Sequence, residues 1–257
     1  MGEHGMAVWI DVGAQCVLFD AGQSSLLVHN AKRLGVEIDA VNVIALSHGH
    51  YDHVGGIADV LALAGGKVDV HAHPCALLPK YHRSSSGVRD IGVPAGCIEA
   101  IHGRAEFHDV TAPCEIAAGV FLTGEVPRNH AEEQVDEGFC VDAAGRQPDN
   151  LQDDQSIFLK TRDGTVVLLG CAHAGVVNTL DYICKLTENQ PILAVMGGMH
   201  LHNASDERIA WTVDCLRRFS VRTFYPAHCT GQRAVLALSN AFPGRCLSFG
   251  VGTVVTL

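Results

Sequence analysis

The sequence predicts an α/β layered fold. Short apolar runs alternate with amphipathic stretches in the order strand, helix, strand, helix. The apolar runs are too short for buried helices, and four of them end in small residues or serine followed by histidine. Residues 7–11 and 16–20 flank the turn residues Gly13 and Ala14 and read as a hairpin. Ser24 or Ser25 then caps an amphipathic helix over 26–34 that Gly35 stops. A buried strand over 41–46 runs straight into Ser47-His48-Gly49-His50, and residues 52–64 have helical period up to Gly65-Gly66. Residues 68–71 form another strand, after which Pro74 opens a short helix.

Two segments, near 80–92 and 128–154, are polar or punctuated by Gly and Pro and read as loop insertions in a single domain spanning 1–257. Beyond them, 157–161 and 165–169 make a hairpin around Arg162-Asp163-Gly164, and the second strand ends in Gly170-Cys171-Ala172-His173. A helix over 178–186 leads to a strand over 192–196, which ends in Gly197-Gly198-Met199-His200. Ser205 caps a helix reaching 219, and the strand 221–225 ends in Pro226-Ala227-His228.

Charge narrows the partners. The 257 residues carry 18 Lys and Arg against 28 Asp and Glu, a net charge of −10 without basic clusters, so neither nucleic acid nor an anionic membrane surface is expected. A small anionic molecule is the expected substrate, and a homo-oligomer is compatible with the composition. No apolar run reaches the ~18 residues of a membrane span, and Glu3 and His4 stand where an export signal carries basic charge. A cytoplasmic protein is expected. The ten cysteines are scattered with no Cys-x-x-Cys pair, and read as reduced, mostly buried thiols.

Fifteen histidines exceed what packing needs. Ser47-His48-Gly49-His50-Tyr51-Asp52-His53 places three imidazoles and a carboxylate within six residues, directly after a buried strand. Any one of them alone would be a hydrogen-bonded structural residue. Together, without a cation, they would suffer desolvation and mutual repulsion; a divalent ion turns that cost into bonds. Small Gly49 lets His48 and His50 face one metal, while Asp52 and His53 face a second. Imidazole and carboxylate suit zinc, with iron or manganese as alternatives. Further ligands must come from downstream, and His173, His200 and His228 stand at strand exits, where loops of a layered sheet converge.

The block His-x-His-x-Asp-His, with His173 in Gly-Cys-Ala-His-Ala-Gly and His228 in Ala-His-Cys-Thr-Gly, resembles the metallo-β-lactamase superfamily. Together with Glu3-His4-Gly5, Phe19 to Ser24, Asp153-Asp154-Gln155 and Gly197 to Leu201, it is similar to the subfamily named for 7,8-dihydropterin-6-methyl-4-(β-D-ribofuranosyl)aminobenzene 5′-phosphate synthase. The resemblance runs from Glu3 to about 252. It implies a four-layer αββα sandwich with a metal site at one rim, His48, His50 and His173 on one ion, and Asp52, His53 and His228 on the other. Where many members of the superfamily have a bridging Asp, this chain has His200. A neutral imidazole does not bridge two cations, so His200 is expected as a ligand near a weaker or partly occupied second site. Resembling proteins also carry a strand before the Glu-His-Gly block, so one sheet edge is expected to be uncovered.

A divalent ion lowers the pKa of bound water toward ~7. A hydrolase using metal-bound hydroxide on a small anionic ester, phosphoester or lactone is therefore expected, with Asp52 orienting the water or accepting its proton. The subfamily's name implies the alternative, a transferase joining a pterin diphosphate to an aminobenzene ribotide. His4 and Arg128 are candidate substrate contacts. Asp153 and Asp154 are expected to fix the hairpin start, cap backbone amides or support a ligating imidazole. Thr230 and Gly231 begin a helix whose free amides suit an anion. His71 and His73 are expected outside the ligand set, and His82, His102, His108, His130 and His202 carry no role.

Overall fold

Alternation along the strands decides the architecture, because successive side chains leave opposite faces of a sheet. In the computed structural model, which describes residues 1–256, one sheet has the spatial order β1 (Val8–Asp11), β2 (Cys16–Phe19), β3 (Val43–Ala45), β4 (Val68–Ala72) and β7 (Ala105–Asp109). Only β1 is antiparallel to its neighbour; the other pairings are parallel. Val17, Phe19, Val43 and Ala45 point to one face, while Leu18, Ile44, Val68 and Val70 point to the other. That second face is covered by α1 (Leu26–Leu34), α3 (Ile57–Leu63) and α4 (Ala95–Arg104), through Ala31, Ile57, Val60 and Ile101.

The other large sheet has the order β14 (Thr223–Pro226), β13 (Ile192–Gly197), β12 (Thr165–Leu169), β11 (Ile157–Lys160), β9 (Val120–Leu122) and β8 (Cys114–Ala117). Ile157, Val166, Leu168 and Met196 meet Val17, Phe19 and Val43 of the first sheet in one shared core. The opposite side chains, Phe158, Val167 and Leu169, pack under α5 (Val176–Leu186), α6 (Asp206–Arg217) and α7 (Gln232–Ala241). Helix, sheet, sheet, helix is thus the order of layers. Each fully buried aliphatic side chain in these cores contributes about 1.5–3 kcal/mol.

Several boundaries depart from the sequence reading. The helix expected over 52–64 is broken at Gly55-Gly56 into α2 (Tyr51–Val54) and α3, where the chain at Gln23 crosses so closely that a side chain at Gly55 would collide with the Gln23 carbonyl. The segment near 80–92, expected as a loop, forms β5 (Tyr81–Ser84) and β6 (Gly87–Asp90), which join β10 (Phe139–Cys140) in a small third sheet. The other expected loop, 128–154, is irregular apart from β10. Residues 95–122, unassigned from sequence, supply α4, β7, β8 and β9. Ser205 does cap α6, accepting the Arg208 amide at 3.2 Å, and β1 is the last strand of its sheet.

Candidate metal centre

The exits of β2, β3, β12, β13 and β14 converge at one rim between the two large sheets. Four residues there hold left-handed backbone angles without being glycine: Asp20 (φ 58°), Ala172 (φ 54°), His200 (φ 47°) and His228 (φ 51°). Such conformations cost on the order of 1–3 kcal/mol each and persist where surrounding structure enforces them. Here they turn each chain sharply off its strand, so the next side chains face one another.

Two sets of donors result. His48 Nε2 lies 2.9 Å from His50 Nδ1 and 3.3 Å from His173 Nε2. In a second set, His53 Nε2 lies 3.1 Å from His228 Nε2, with Asp52 Oδ2 at 3.8 Å and 3.5 Å from those two nitrogens. Donors around tetrahedral zinc stand ~3.3 Å apart, given Zn–N bonds of about 2.0–2.1 Å. Both sets fit a divalent ion on that measure. Burial and the neighbouring imidazoles hold His48, His50 and His173 well below the ordinary histidine range, so their ring nitrogens keep free electron pairs. Burial and His53 likewise lower His228.

Hydrogen bonds on the outer ring nitrogens fix which atom points inward. Asp20, fully buried, accepts the Ser47 amide at 2.7 Å and the Ser47 hydroxyl at 2.8 Å, and lies 2.6 Å from His53 Nδ1. Ser47 Oγ is in turn 2.8 Å from His48 Nδ1. His228 Nδ1 donates to the His4 carbonyl at 2.7 Å, which leaves its Nε2 facing His53. This is how proteins orient ligating imidazoles. Burial lowers His53, but the charge and hydrogen bond of Asp20 overcome it and raise the metal-free group to about 9.

A second ring of contacts holds the loops. Asp153 accepts the Gly49 amide at 2.8 Å and pairs with Lys80, which also reaches Asp149, both at 2.9 Å and buried. Asp154 accepts the Ala174 amide at 2.8 Å while its other oxygen is buried without a partner; burial raises it to about 6. Of the roles expected for these two acids, capping of backbone amides beside His48, His50 and His173 is the one seen. Gly49 is needed for closeness, not for its turn: a Cβ there would collide with the Ala76 carbonyl.

His48, His50, Asp52, His53, His173 and His228 are thus brought together. His4 joins them at the mouth, its exposed Nε2 3.6 Å from Asp52 Oδ2. His200 is placed differently. Its ring packs 4.3 Å from that of His173, its buried Nδ1 has no partner, and its donor atoms group with Cys171 and Cys229 rather than with either set. Arg128 places its guanidinium on the carbonyls of His173, Asn150 and Leu151 at 2.8–3.0 Å, so it ties the 128–154 loop to the rim. His71 stacks on His108 at 4.6 Å, and His73 accepts the Cys75 amide, both away from the donors.

Sequence reasoning missed Asp20 and Cys171. Asp20 stood at the end of a strand and within the block Phe19 to Ser24, with no role assigned to it. Cys171 is buried and free, yet its Sγ lies 3.2 Å from both His53 Nε2 and His228 Nε2. Its position two residues before His173 was the one available signal.

Known proteins share this architecture. The sequence model of the metallo-β-lactamase superfamily matches residues 2–228. An uncharacterized protein of Methanocaldococcus jannaschii, MJ0448, is 34% identical over 92% of this chain and 88% of its own length. The 7,8-dihydropterin-6-methyl-4-(β-D-ribofuranosyl)-aminobenzene-5′-phosphate synthase of the same organism is 27% identical over 90% of this chain and 82% of its own. Among solved structures, Tm1679, a metal-dependent hydrolase of the β-lactamase superfamily, superposes with a TM-score of 0.85 at 32% identity, covering 99% of this chain and 92% of that one. The chain belongs to the metallo-β-lactamase superfamily.

Proposed function

We propose that the protein is a metal-dependent hydrolase of small anionic esters, phosphoesters or lactones. One observation carries the reading: two sets of inward-facing donors, His48/His50/His173 and Asp52/His53/His228, share one rim, with the outer ring atoms of His48, His53 and His228 already engaged. The 32% identity to a metal-dependent hydrolase adds support. These six side chains would hold two divalent ions, zinc first, with iron or manganese as alternatives. When bound, such ions supply Lewis acidity that lowers the pKa of water toward ~7 and polarises a carbonyl or phosphoryl oxygen.

The chain's own groups divide the remaining work. Asp52 Oδ2 stands at the open side of the second set, beside His4 and His228, and takes the proton released as water attacks. Asp20 and Ser47 hold His53 and His48 in one ring orientation, which spares reorganisation during the reaction. His4 Nε2, exposed at the mouth, donates to an anionic oxygen of the substrate. An open cavity of about 390 Å³ adjoins His228, bounded by Gly231, Gln232, Leu236 and Ser239. The start of α7 forms part of its wall and has no side-chain cap, so its amides suit the anionic end of a ligand. The size favours a small molecule, and the charge of −10 disfavours nucleic acid. The ten free cysteines favour a reducing compartment, the cytoplasm.

Purified protein loaded with zinc, assayed on nitrophenyl esters and nitrophenyl phosphodiesters, tests the reading. Turnover that His48→Ala and a chelator both abolish is expected. The 27% identical synthase favours a second reading, a transferase in which the ions neutralise a departing diphosphate. Turnover only when a pterin diphosphate and an aminobenzene ribotide are both present would replace the first reading with the second.

A further inference from the structure

We propose that Cys171 is a sulfur ligand of the second ion, completing an Asp52/His53/Cys171/His228 site; the inference rests on the metal-binding reading above. Three donor atoms form a nearly equilateral triangle: His53 Nε2 to His228 Nε2 is 3.1 Å, and Cys171 Sγ is 3.2 Å from each. Around a tetrahedral zinc with one sulfur, N–N edges are ~3.3 Å and N–S edges ~3.5 Å. The triangle is therefore a few tenths of an ångström tighter than a filled site, and Asp52 Oδ2 lies within 3.8 Å of both nitrogens as the fourth donor.

Hydrogen bonds on the far ring atoms aim both imidazoles into this triangle. The His4 carbonyl only accepts, so His228 Nδ1 carries the proton and its Nε2 presents an electron pair. His53 Nδ1 faces the Asp20 carboxylate, which leaves Nε2 as the ring atom turned toward Cys171 and His228. A dication would accept an electron pair from each of the three atoms, the thiol proton and any proton on His53 Nε2 leaving to solvent as it binds.

Charge favours the same assignment. His48, His50 and His173 bring no carboxylate or thiolate, so without sulfur the two ions would be held against a single ligating carboxylate, Asp52. His200, lying with Cys229 rather than between the sets, adds no negative charge. A thiolate at 171 supplies a second one. Cys171 also groups with His48 and His53 as possible ligand atoms within 4.8 Å of one another, which puts the sulfur on the side facing the first set.

Reconstitution of the full chain with cobalt tests the assignment without using activity. Two cobalt ions per chain should produce a near-ultraviolet sulfur-to-cobalt charge-transfer band in the wild type and in Cys229→Ser. The band should be lost in Cys171→Ser, with the second ion bound at least tenfold more weakly. Should Cys171→Ser fail to fold, X-ray absorption at the zinc edge of the wild type should find a sulfur neighbour at about 2.3 Å. A chain holding two cobalt ions with no band, a band that survives in Cys171→Ser, or a zinc edge with only nitrogen and oxygen neighbours overturns the sulfur ligand and leaves the metal site standing. A chain that takes up no cobalt overturns both.

Discussion

Asp20→Asn isolates the orientation of His53 with little change of shape. In the wild type the buried carboxylate accepts from the Ser47 amide and hydroxyl and meets His53 Nδ1 at 2.6 Å. Asparagine still offers one oxygen to the Ser47 amide, but presents an amide donor toward Ser47 Oγ and His53 Nδ1. Two consequences follow. In the metal-free protein, His53 sits at about 9 against ~6.5 in an unfolded chain. Because the folded value is the higher one, this stabilisation is fully present below pH ~6.5 and disappears as pH rises through about 9. The difference corresponds to on the order of 3 kcal/mol, or roughly 6–12 °C in melting temperature for a chain of this size. Metal-free Asp20→Asn should therefore melt well below wild type at pH 6, and the gap should shrink by pH 9.5 to about 1 kcal/mol, the worth of a neutral hydrogen bond. With metal present, the turned imidazole should weaken the second ion by about 10–100-fold in a chelator competition. A melting gap that is equal at both pH values, or an unchanged second affinity, would refute the reasoning.

Other substitutions report on the supporting shell. Lys80→Met strands the Asp149 and Asp153 carboxylates in a buried site and should cost about 3–5 kcal/mol in urea unfolding, with weaker binding at His48 and His50 because Asp153 also holds the Gly49 amide. Glu133→Ala removes the carboxylate that accepts the Val177 and Asn178 amides at the start of α5 and pairs with Arg208; a loss of about 2 kcal/mol is expected. His200→Ala should still bind two ions by mass spectrometry, since His200 stands outside both donor sets. Gly49→Ala should fail to give folded protein by circular dichroism, because its Cβ meets the Ala76 backbone.

The layered fold and much of the rim were legible because both depend on local pattern. Apolar runs such as 41–46 and 165–169 announce buried strands, and a histidine within four residues of each run's end is visible by inspection. Convergence of those exits then brings His173 to His48 and His228 to His53 from 125 and 175 residues away in the chain. What lacked a local pattern went unread. The strands Tyr81–Ser84 and Gly87–Asp90 are largely exposed, so no apolar alternation marks them. Arg128 has the chemistry of an anion contact, and only the fold discloses that three carbonyls already occupy it. Cys171 resembles any buried thiol until its two imidazole neighbours, from the α2 and β14 regions, are placed beside it.

Anomalous scattering at the metal edge, with metal content measured on the same zinc-loaded protein, tests the central claim most directly. The account predicts two ions per chain, one bound by His48, His50 and His173 and the other by Asp52, His53 and His228. Ions located elsewhere, or a metal-free protein in which these imidazoles keep only each other as partners after zinc loading, would contradict it.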